Sequence, residues 1–258
     1  MPAISIITPV YNGEKSLKRC IQSVMKQRME DFEWIIVDDC SSDSTQEILK
    51  KIQERDSRIK VLKNDHNKGA SKSRFRALES ASGTYITFLD SDDALTTDAL
   101  SLYKDAVQKS EAEIFVIGSK LVFPFIKASL KFYSCDNDQN FSHGGIPGEQ
   151  ACIYMLANDG LTPNLWDKLY KADLIRTFAG KCPDLSLGED YVLNMRLIAH
   201  ATTVHPVSGF GYLWSYNGLG EKYYLRRWPE YERAIGQVLT ELPLLCASTP
   251  LDIHKAQK

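Results

Sequence analysis

Short apolar runs alternate with helix-spaced apolar positions along the first 118 residues. Ile4 to Thr8 reads as a buried strand, and Leu17, Ile21, Val24 and Met25 then fall at i, i+4, i+7 and i+8, the spacing of one helix face. Phe32 to Val37 is a second strand. Its helix carries Ile48, Leu49 and Ile52 on one side and opens on Ser44-Thr45-Gln46-Glu47, a capping-box spacing. Ile59 to Leu62 and Tyr85 to Leu89 are further strands, separated by a helix over about 70–81 with Ala77, Leu78 and Ala81 inward. A helix carrying Leu100, Tyr103, Ala106 and Val107 leads to the strand Ile114 to Ile117. This alternation predicts βαβ units and a mostly parallel sheet with helices on both faces. Ligands of such sheets lie beyond the carboxyl ends of the strands, so the βα turns are where chemistry is expected.

The pattern changes near Lys120. Residues 120–147 hold Phe123, Phe125, Phe132 and Tyr133 and then a polar, Gly-containing stretch, which predicts a hairpin and a mobile loop over 134–146. Helical spacing resumes at Pro147 (Ala151, Met155, Leu156). A strand is expected over Leu165 to Tyr170, a helix over about 189–199 with Val192, Leu193 and Leu197 inward, and a helical C-terminal stretch from about Gly218.

Composition narrows the class. With 258 residues, 43% hydrophobic and 25% charged, the chain can build a sizeable core. Its 31 Lys and Arg against 33 Asp and Glu leave a formal charge of -2, without the basic excess of a nucleic-acid binder. Cys20, Cys40, Cys135, Cys152, Cys182 and Cys246 form no Cys-x-x-Cys pair, which points to a reducing cytoplasm rather than a disulfide framework or structural zinc. The N-terminus lacks a basic and then long apolar signal pattern, and no run approaches the roughly 18 apolar residues of a spanning helix, so a soluble or peripherally attached protein is expected.

The turn after the first strand, Thr8-Pro9-Val10-Tyr11-Asn12-Gly13, is neither a dinucleotide-binding Gly-x-Gly-x-x-Gly nor a Walker A sequence. It either connects strand to helix or holds a nucleoside, with Tyr11 offering a face to a base. In Asp38-Asp39-Cys40-Ser41-Ser42-Asp43-Ser44, capping accounts for Asp43 and Ser44, while Asp39 is open to capping or to binding a ribose or base. The fourth strand ends in Asp90-Ser91-Asp92-Asp93, and crowding carboxylates at a strand's buried end is costly without a cation. A divalent metal removes that cost and bridges a diphosphate. Glu189-Asp190 opens a helix, where acidic residues suit the helix dipole or supply a general base.

These blocks together resemble family 2 glycosyltransferases, inverting nucleotide-sugar enzymes of GT-A fold. Ile4 through Asn12 is similar to the family's first strand and turn, and Ile35-Ile36-Val37-Asp38-Asp39-Cys40-Ser41-Ser42-Asp43-Ser44-Thr45 to its most recognisable run, with Cys40 where Gly is usual. Asn67-Lys68-Gly69-Ala70 through Arg74 resembles the next block, Ser73-Arg74-Phe75 replacing the usual Ala-Arg-Asn. Gly83-Thr84-Tyr85-Ile86-Thr87-Phe88-Leu89-Asp90-Ser91-Asp92-Asp93 matches the metal block, and Trp166-Asp167-Lys168-Leu169-Tyr170 and Gly188-Glu189-Asp190 resemble elements of an acceptor-binding C-terminal region.

The resemblance implies an α/β GT-A (Rossmann-like) fold with a C-terminal acceptor-binding helical extension. Residues 1–118 would be the nucleotide-sugar half, 119–216 the acceptor and catalytic-base half, and 217–258 the extension. It implies nucleotide binding by Pro9, Tyr11, Asp39, Lys72, Arg74, Asp90 and Ser91. Arg74 reaches either the diphosphate and ribose or, as a structural partner, the carboxylates. Mn²⁺ or Mg²⁺ would sit on Asp92 and Asp90. Asp190 is the implied base, and Trp166 and Glu189 the acceptor contacts, a core role for Trp166 being the alternative. The implied reaction is a metal-assisted single displacement from a UDP-sugar to a glycan or lipid-linked acceptor, as in lipopolysaccharide or capsule assembly, with a homodimer admissible. Two rivals remain: a non-catalytic sugar-binding module and a sugar nucleotidyltransferase, the latter lacking its basic Gly-rich loop here. Glu221-Lys222-Tyr223-Tyr224-Leu225-Arg226-Arg227-Trp228 is open to weak attachment at the cytoplasmic face of the inner membrane or to ordinary packing.

Overall fold

A computed structural model describes residues 2–123, 128–133, 144–156, 161–183, 185, 187–215, 232–238 and 240. The N-terminal half follows the alternation in the sequence: β1 (Ile4–Val10), α1 (Leu17–Met25), β2 (Phe32–Asp38), α2 (Thr45–Gln53), β3 (Ile59–Lys63), α3 (Ala70–Leu78) and β4 (Tyr85–Phe88). Then come β5 (Ala94–Leu95), α4 (Ala99–Lys109), β6 (Ile114–Phe123), β7 (Ala128–Tyr133), α5 (Gly148–Leu156), β8 (Lys168–Lys171), α6 (Ala172–Phe178), α7 (Glu189–His200) and β9 (Val204–Ser215).

Among the described residues, one sheet of nine strands runs β3-β2-β1-β4-β8-β6-β9-β5, with β7 paired to β6. The first four strands are parallel, as the βαβ pattern requires. Parallel pairing stops at β8, which is antiparallel to both β4 and β6, and resumes only between β6 and β9. The sheet is therefore mixed α/β, and residues beyond 118 complete it instead of forming a separate layer.

Alternation along the strands sends neighbouring side chains to opposite faces. Ile4, Ile6, Trp34 and Ile36 join Leu17, Val24, Leu49 and Tyr103 of α1, α2 and α4 on one side. Ile7, Ile35, Val37 and Phe88 join Ala77, Leu174, Val192 and Leu197 of α3, α6 and α7 on the other. Full burial of both sides of the central strands is why β1 and β2 read as continuous apolar runs. Among the polar exceptions, Trp34 Nε1 donates to Thr8 Oγ1 at 2.9 Å, whereas the buried Ser119 Oγ of β6 has no hydrogen-bond partner among the described residues.

Several boundaries differ from the sequence expectation. The strand expected at 165–170 begins only at Lys168, because the chain bends at Leu165 and makes a turn at Trp166 and Asp167. The strand expected at 114–117 continues to Phe123 and forms a hairpin with β7. Ser44 makes no side-chain cap on α2; Asp43 does, accepting from Thr45 N at 3.0 Å. Cys40 stands at φ 64°, the left-handed region that explains why glycine suits this position. The segment 134–143, most of the expected loop, and the segment 221–228 lie outside the described residues, as does most of 217–258, of which 232–238 is helical.

Candidate active site

The carboxyl ends of β1, β2 and β4 bring the turns together. Leu89 N donates to Ile7 O at 2.9 Å, and Asp39 N to Val10 O at 2.8 Å, so three turns share one rim. A cleft of about 270 Å³ there is lined by Pro9, Tyr11, Asp39, Ala70, Arg74, Asp90, Ser91 and Asp92. Tyr11 is 52% exposed, leaving a ring face open to a planar ligand.

Asp39 is buried and serves both roles left open by the sequence. Its Oδ1 accepts from Asn64 Nδ2 at 2.6 Å and Lys68 N at 2.8 Å, and its Oδ2 from Gly69 N at 2.7 Å. It thus fastens the loop before α3, where Gly69 takes φ 86°, yet still borders the cleft. A carboxylate has about four acceptor positions, so one more donor can be taken.

The fourth turn divides its carboxylates by direction. Asp93 points inward: its Oδ2 accepts from Tyr212 O–H at 2.6 Å and its Oδ1 from Ser215 N at 2.7 Å. Burial, then the charges of Asp90 and Asp92, push its pKa well above the ordinary carboxylate range. Asp90 and Asp92 face the cleft. Among the described residues no three His, Cys, Asp or Glu side chains converge as a metal cluster. Two hard carboxylates on one wall are the donor set that suits Mg²⁺ or Mn²⁺ when a diphosphate and water complete the shell, so the residues fit the expected ion.

Arg74 is the centre of the charge distribution. Its side chain is 6% exposed and contacts Asp90 Oδ1 at 2.8 Å, Asp190 Oδ1 at 2.7 Å and Glu189 Oε1 at 3.5 Å. This is the structural partnership named above as the alternative for Arg74. Although burial acts against its charge, Asp190, Asp90 and Glu189 raise its basicity above the ordinary value. Its buried Nε has no hydrogen-bond partner.

Beyond Arg74 lies a second cleft of about 430 Å³, lined by Asp90, Pro163, Asn164, Trp166, Leu187, Glu189, Asp190, Tyr191 and Trp214. Arg74 and Asp90 border both clefts, which therefore meet at the charge cluster. Asp190 opens α7 after Gly188, whose φ of 81° turns the chain into the helix. Burial, together with Glu189 and Asp90 and against the pull of Arg74 and Lys168, raises its pKa from 3.8 to about 7. Trp166 is 7% exposed and stacks on Tyr212 at 4.2 Å between ring centroids, combining a core position with an edge on the cleft.

The structure thus gathers Pro9, Tyr11, Asp39, Arg74, Asp90, Ser91, Asp92, Trp166, Glu189 and Asp190 along one continuous depression. Lys72 is placed elsewhere. It lines a neighbouring cavity with Lys68, Pro183, Leu185 and Arg233, because it projects from α3 two residues before Arg74. Pro163, Asn164 and Trp214 are wall residues that the sequence reading missed. The period-2 aromatics Phe210, Tyr212 and Trp214 were the available signal for β9.

The sequence profile of Glycosyl transferase family 2 matches residues 5–127. Glycosyltransferase GlyA of Streptococcus pneumoniae serotype 4 is 32% identical over 212 residues, covering 75% of this chain and 28% of GlyA. UDP-Glc:alpha-D-GlcNAc-diphosphoundecaprenol beta-1,3-glucosyltransferase WfgD of Escherichia coli is 44% identical over 99 residues, 38% of this chain and 38% of WfgD. The chain therefore spans well under half the length of these two relatives. S. aureus TarS 1–349 in complex with UDP-GlcNAc shares the fold at TM-score 0.75 and 21% identity, covering 99% of this chain and 69% of that one. The fold is GT-A, and among the described residues no helix is long and apolar enough to cross a membrane.

Proposed function

From the premise that this chain belongs to glycosyl transferase family 2 through residues 5–127, we propose that it moves a sugar from a UDP-sugar to a hydroxyl of a lipid-linked glycan, with inversion at the anomeric carbon. The observation that carries the reading is the meeting of two clefts at Arg74 and Asp90, one lined by Tyr11, Asp39 and Asp92, the other by Asp190, Trp166 and Asn164. One cleft takes a nucleotide, the other an acceptor, and the reacting atoms meet at the cluster between them. The resemblance to WfgD, whose name specifies a diphosphoundecaprenol acceptor, supports the lipid-linked class.

In this reading Tyr11 stacks on the base and the free acceptor position of Asp39 takes a base N–H. Asp90 and Asp92 would hold Mn²⁺ or Mg²⁺, which when bound supplies charge stabilisation to the departing diphosphate. Asp190 accepts the proton of the attacking hydroxyl. With a pKa of about 7 it is ionised in an adequate fraction at neutral pH and still basic enough to take a proton. Arg74 keeps that carboxylate oriented, and donates to Asp90 at the same time. No covalent enzyme intermediate is needed, because the acceptor attacks opposite the leaving group in one step.

The test is a transfer assay with UDP-glucose and UDP-GlcNAc as donors and GlcNAc-diphosphate on a short prenyl chain as acceptor. Products are read by mass spectrometry and their anomeric configuration by NMR. A β-linked product from an α-linked donor supports the proposal. Retention, or release of pyrophosphate in place of nucleoside diphosphate, overturns it.

A further inference from the structure

Lys168 is wholly buried, and so is its neighbour Asp167. An ammonium inside a protein is costly unless it is paired and fully hydrogen-bonded, so its partners indicate what it is for. Lys168 Nζ contacts Asp167 Oδ1 at 2.6 Å and donates to Asn164 O at 2.7 Å, Thr162 O at 2.9 Å and Thr162 Oγ1 at 3.2 Å. Thr162 Oγ1 in turn donates to Asp167 Oδ2. The cation is thus spent on one short turn, 162–164, which has no regular ladder to satisfy its carbonyls.

The same two carbonyls have a second donor. Asn194 Nδ2 reaches Asn164 O at 3.1 Å and Thr162 O at 3.3 Å, while Asn194 Oδ1 accepts from Tyr170 O–H at 2.9 Å, which fixes the amide's orientation. Asn194 lies on α7 four residues after Asp190, on the same face one turn further along. The turn is therefore tied both to β8 through Lys168 and to the helix that presents Asp190. Pro163 and Asn164 of this turn line the same cleft as Asp190. A network that needed only stability would be served as well by apolar residues. This one fixes the separation between a wall and a carboxylate.

Resting on the function proposed above, we infer that Lys168 is a positioning residue for the acceptor: with Asn194 it holds the 162–164 turn, setting which acceptor hydroxyl meets Asp190. Lys168 touches neither donor nor acceptor; it acts through the backbone carbonyls of Thr162 and Asn164. Loss of the clamp should therefore leave the nucleotide cleft intact and degrade acceptor use alone.

Two variants test this with the full chain. Lys168→Met combined with Asp167→Asn removes the clamp without stranding a buried charge, and Asn194→Leu removes the second donor while keeping a side chain of the same branched shape. Each is measured for UDP affinity by calorimetry, for acceptor KM and kcat with GlcNAc-diphosphate on a short prenyl chain, and for the linkage position of the product. The expected result is unchanged UDP affinity, a fall in acceptor kcat/KM of roughly 10²-fold, as about 1 Å of misplacement produces, and a mixture of linkages. Asn194→Leu decides alone if the double variant does not fold. A folded variant that keeps the acceptor KM and a single linkage, or one that loses UDP affinity in step with transfer, overturns the inference. An unsubstituted chain that transfers to no acceptor refutes the functional reading itself, and this inference with it.

Discussion

Replacing Asp190 by Asn should stabilise the protein while removing its activity. The folded carboxyl holds its proton up to about pH 7, whereas its ordinary value is 3.8. Ionising it in the native state is therefore unfavourable: the cost is absent below about pH 4, grows between pH 4 and 7, and is constant above. At about 1.4 kcal/mol for each pH unit, that difference bounds the cost near about 4 kcal/mol. The side chain is 23% exposed, and screening there brings the expected figure to about 2 kcal/mol. Asn resembles the protonated carboxyl, so Asp190→Asn should exceed the unsubstituted protein by about 2 kcal/mol at pH 8 and match it at pH 4. Urea titrations at both pH values, with equal m-values, measure this directly. Turnover should meanwhile fall by roughly 10²-fold or more with donor affinity preserved. A variant less stable than its parent at pH 8 would refute the reasoning, since attraction to Arg74 would then outweigh burial and the repulsion of Glu189 and Asp90.

Three further outcomes follow from the same contacts. In the unsubstituted chain, transfer should increase about tenfold per pH unit below about 7 and level off above it, as measured at saturating donor; a flat profile from pH 5 to 8 excludes Asp190 as the base. Asp92→Asn should weaken UDP binding in the presence of Mn²⁺ and abolish transfer while leaving thermal stability nearly unchanged, and calorimetry with and without chelator reads the difference. Tyr212→Phe removes the hydroxyl that donates to buried Asp93 and accepts from Asp90 N, so it should cost about 1–3 kcal/mol in urea denaturation, a neutral effect counting against the bridge.

The parallel half of the fold was legible because its strands are buried on both faces and its helices on one, which writes two distinct periods into the sequence. The antiparallel half was less so. β8 is four residues long and follows a turn made of residues as apolar as a strand, Leu165 and Trp166, so its start could not be separated from the turn. β9 is broken by register shifts on both sides of Gly118, so the alternation of Phe210, Tyr212 and Trp214 does not continue back to Val204 and marks only the end of the strand. At the site, side chains on βα turns were legible because turn chemistry and position coincide there. The burial and partners of Lys168 and Asn194 were not, although Lys168 lies in a run that resembles an acceptor-binding element, since nothing local distinguishes a Lys in a strand from a solvated one. Their burial depends on contacts with Thr162 and Asn164 that only the folded chain makes.

Arg74, the one residue of Ser73-Arg74-Phe75 that keeps the usual pattern, acquires its meaning from the fold. Asp90, Glu189 and Asp190 come from two turns about 100 residues apart in sequence, and each faces the same buried guanidinium. One positive charge among three carboxylates leaves a net negative cluster at the junction of the two clefts, which a bound divalent cation on the Asp90 side would balance. The planar fork of Arg reaches Asp90 with one terminal nitrogen and Asp190 with the other, a span that the point charge of Lys does not provide. Any ligand that draws Asp90 away from Arg74 therefore changes the field at Asp190 directly. In the function proposed above, the donor and acceptor sides would thus be coupled through this single side chain.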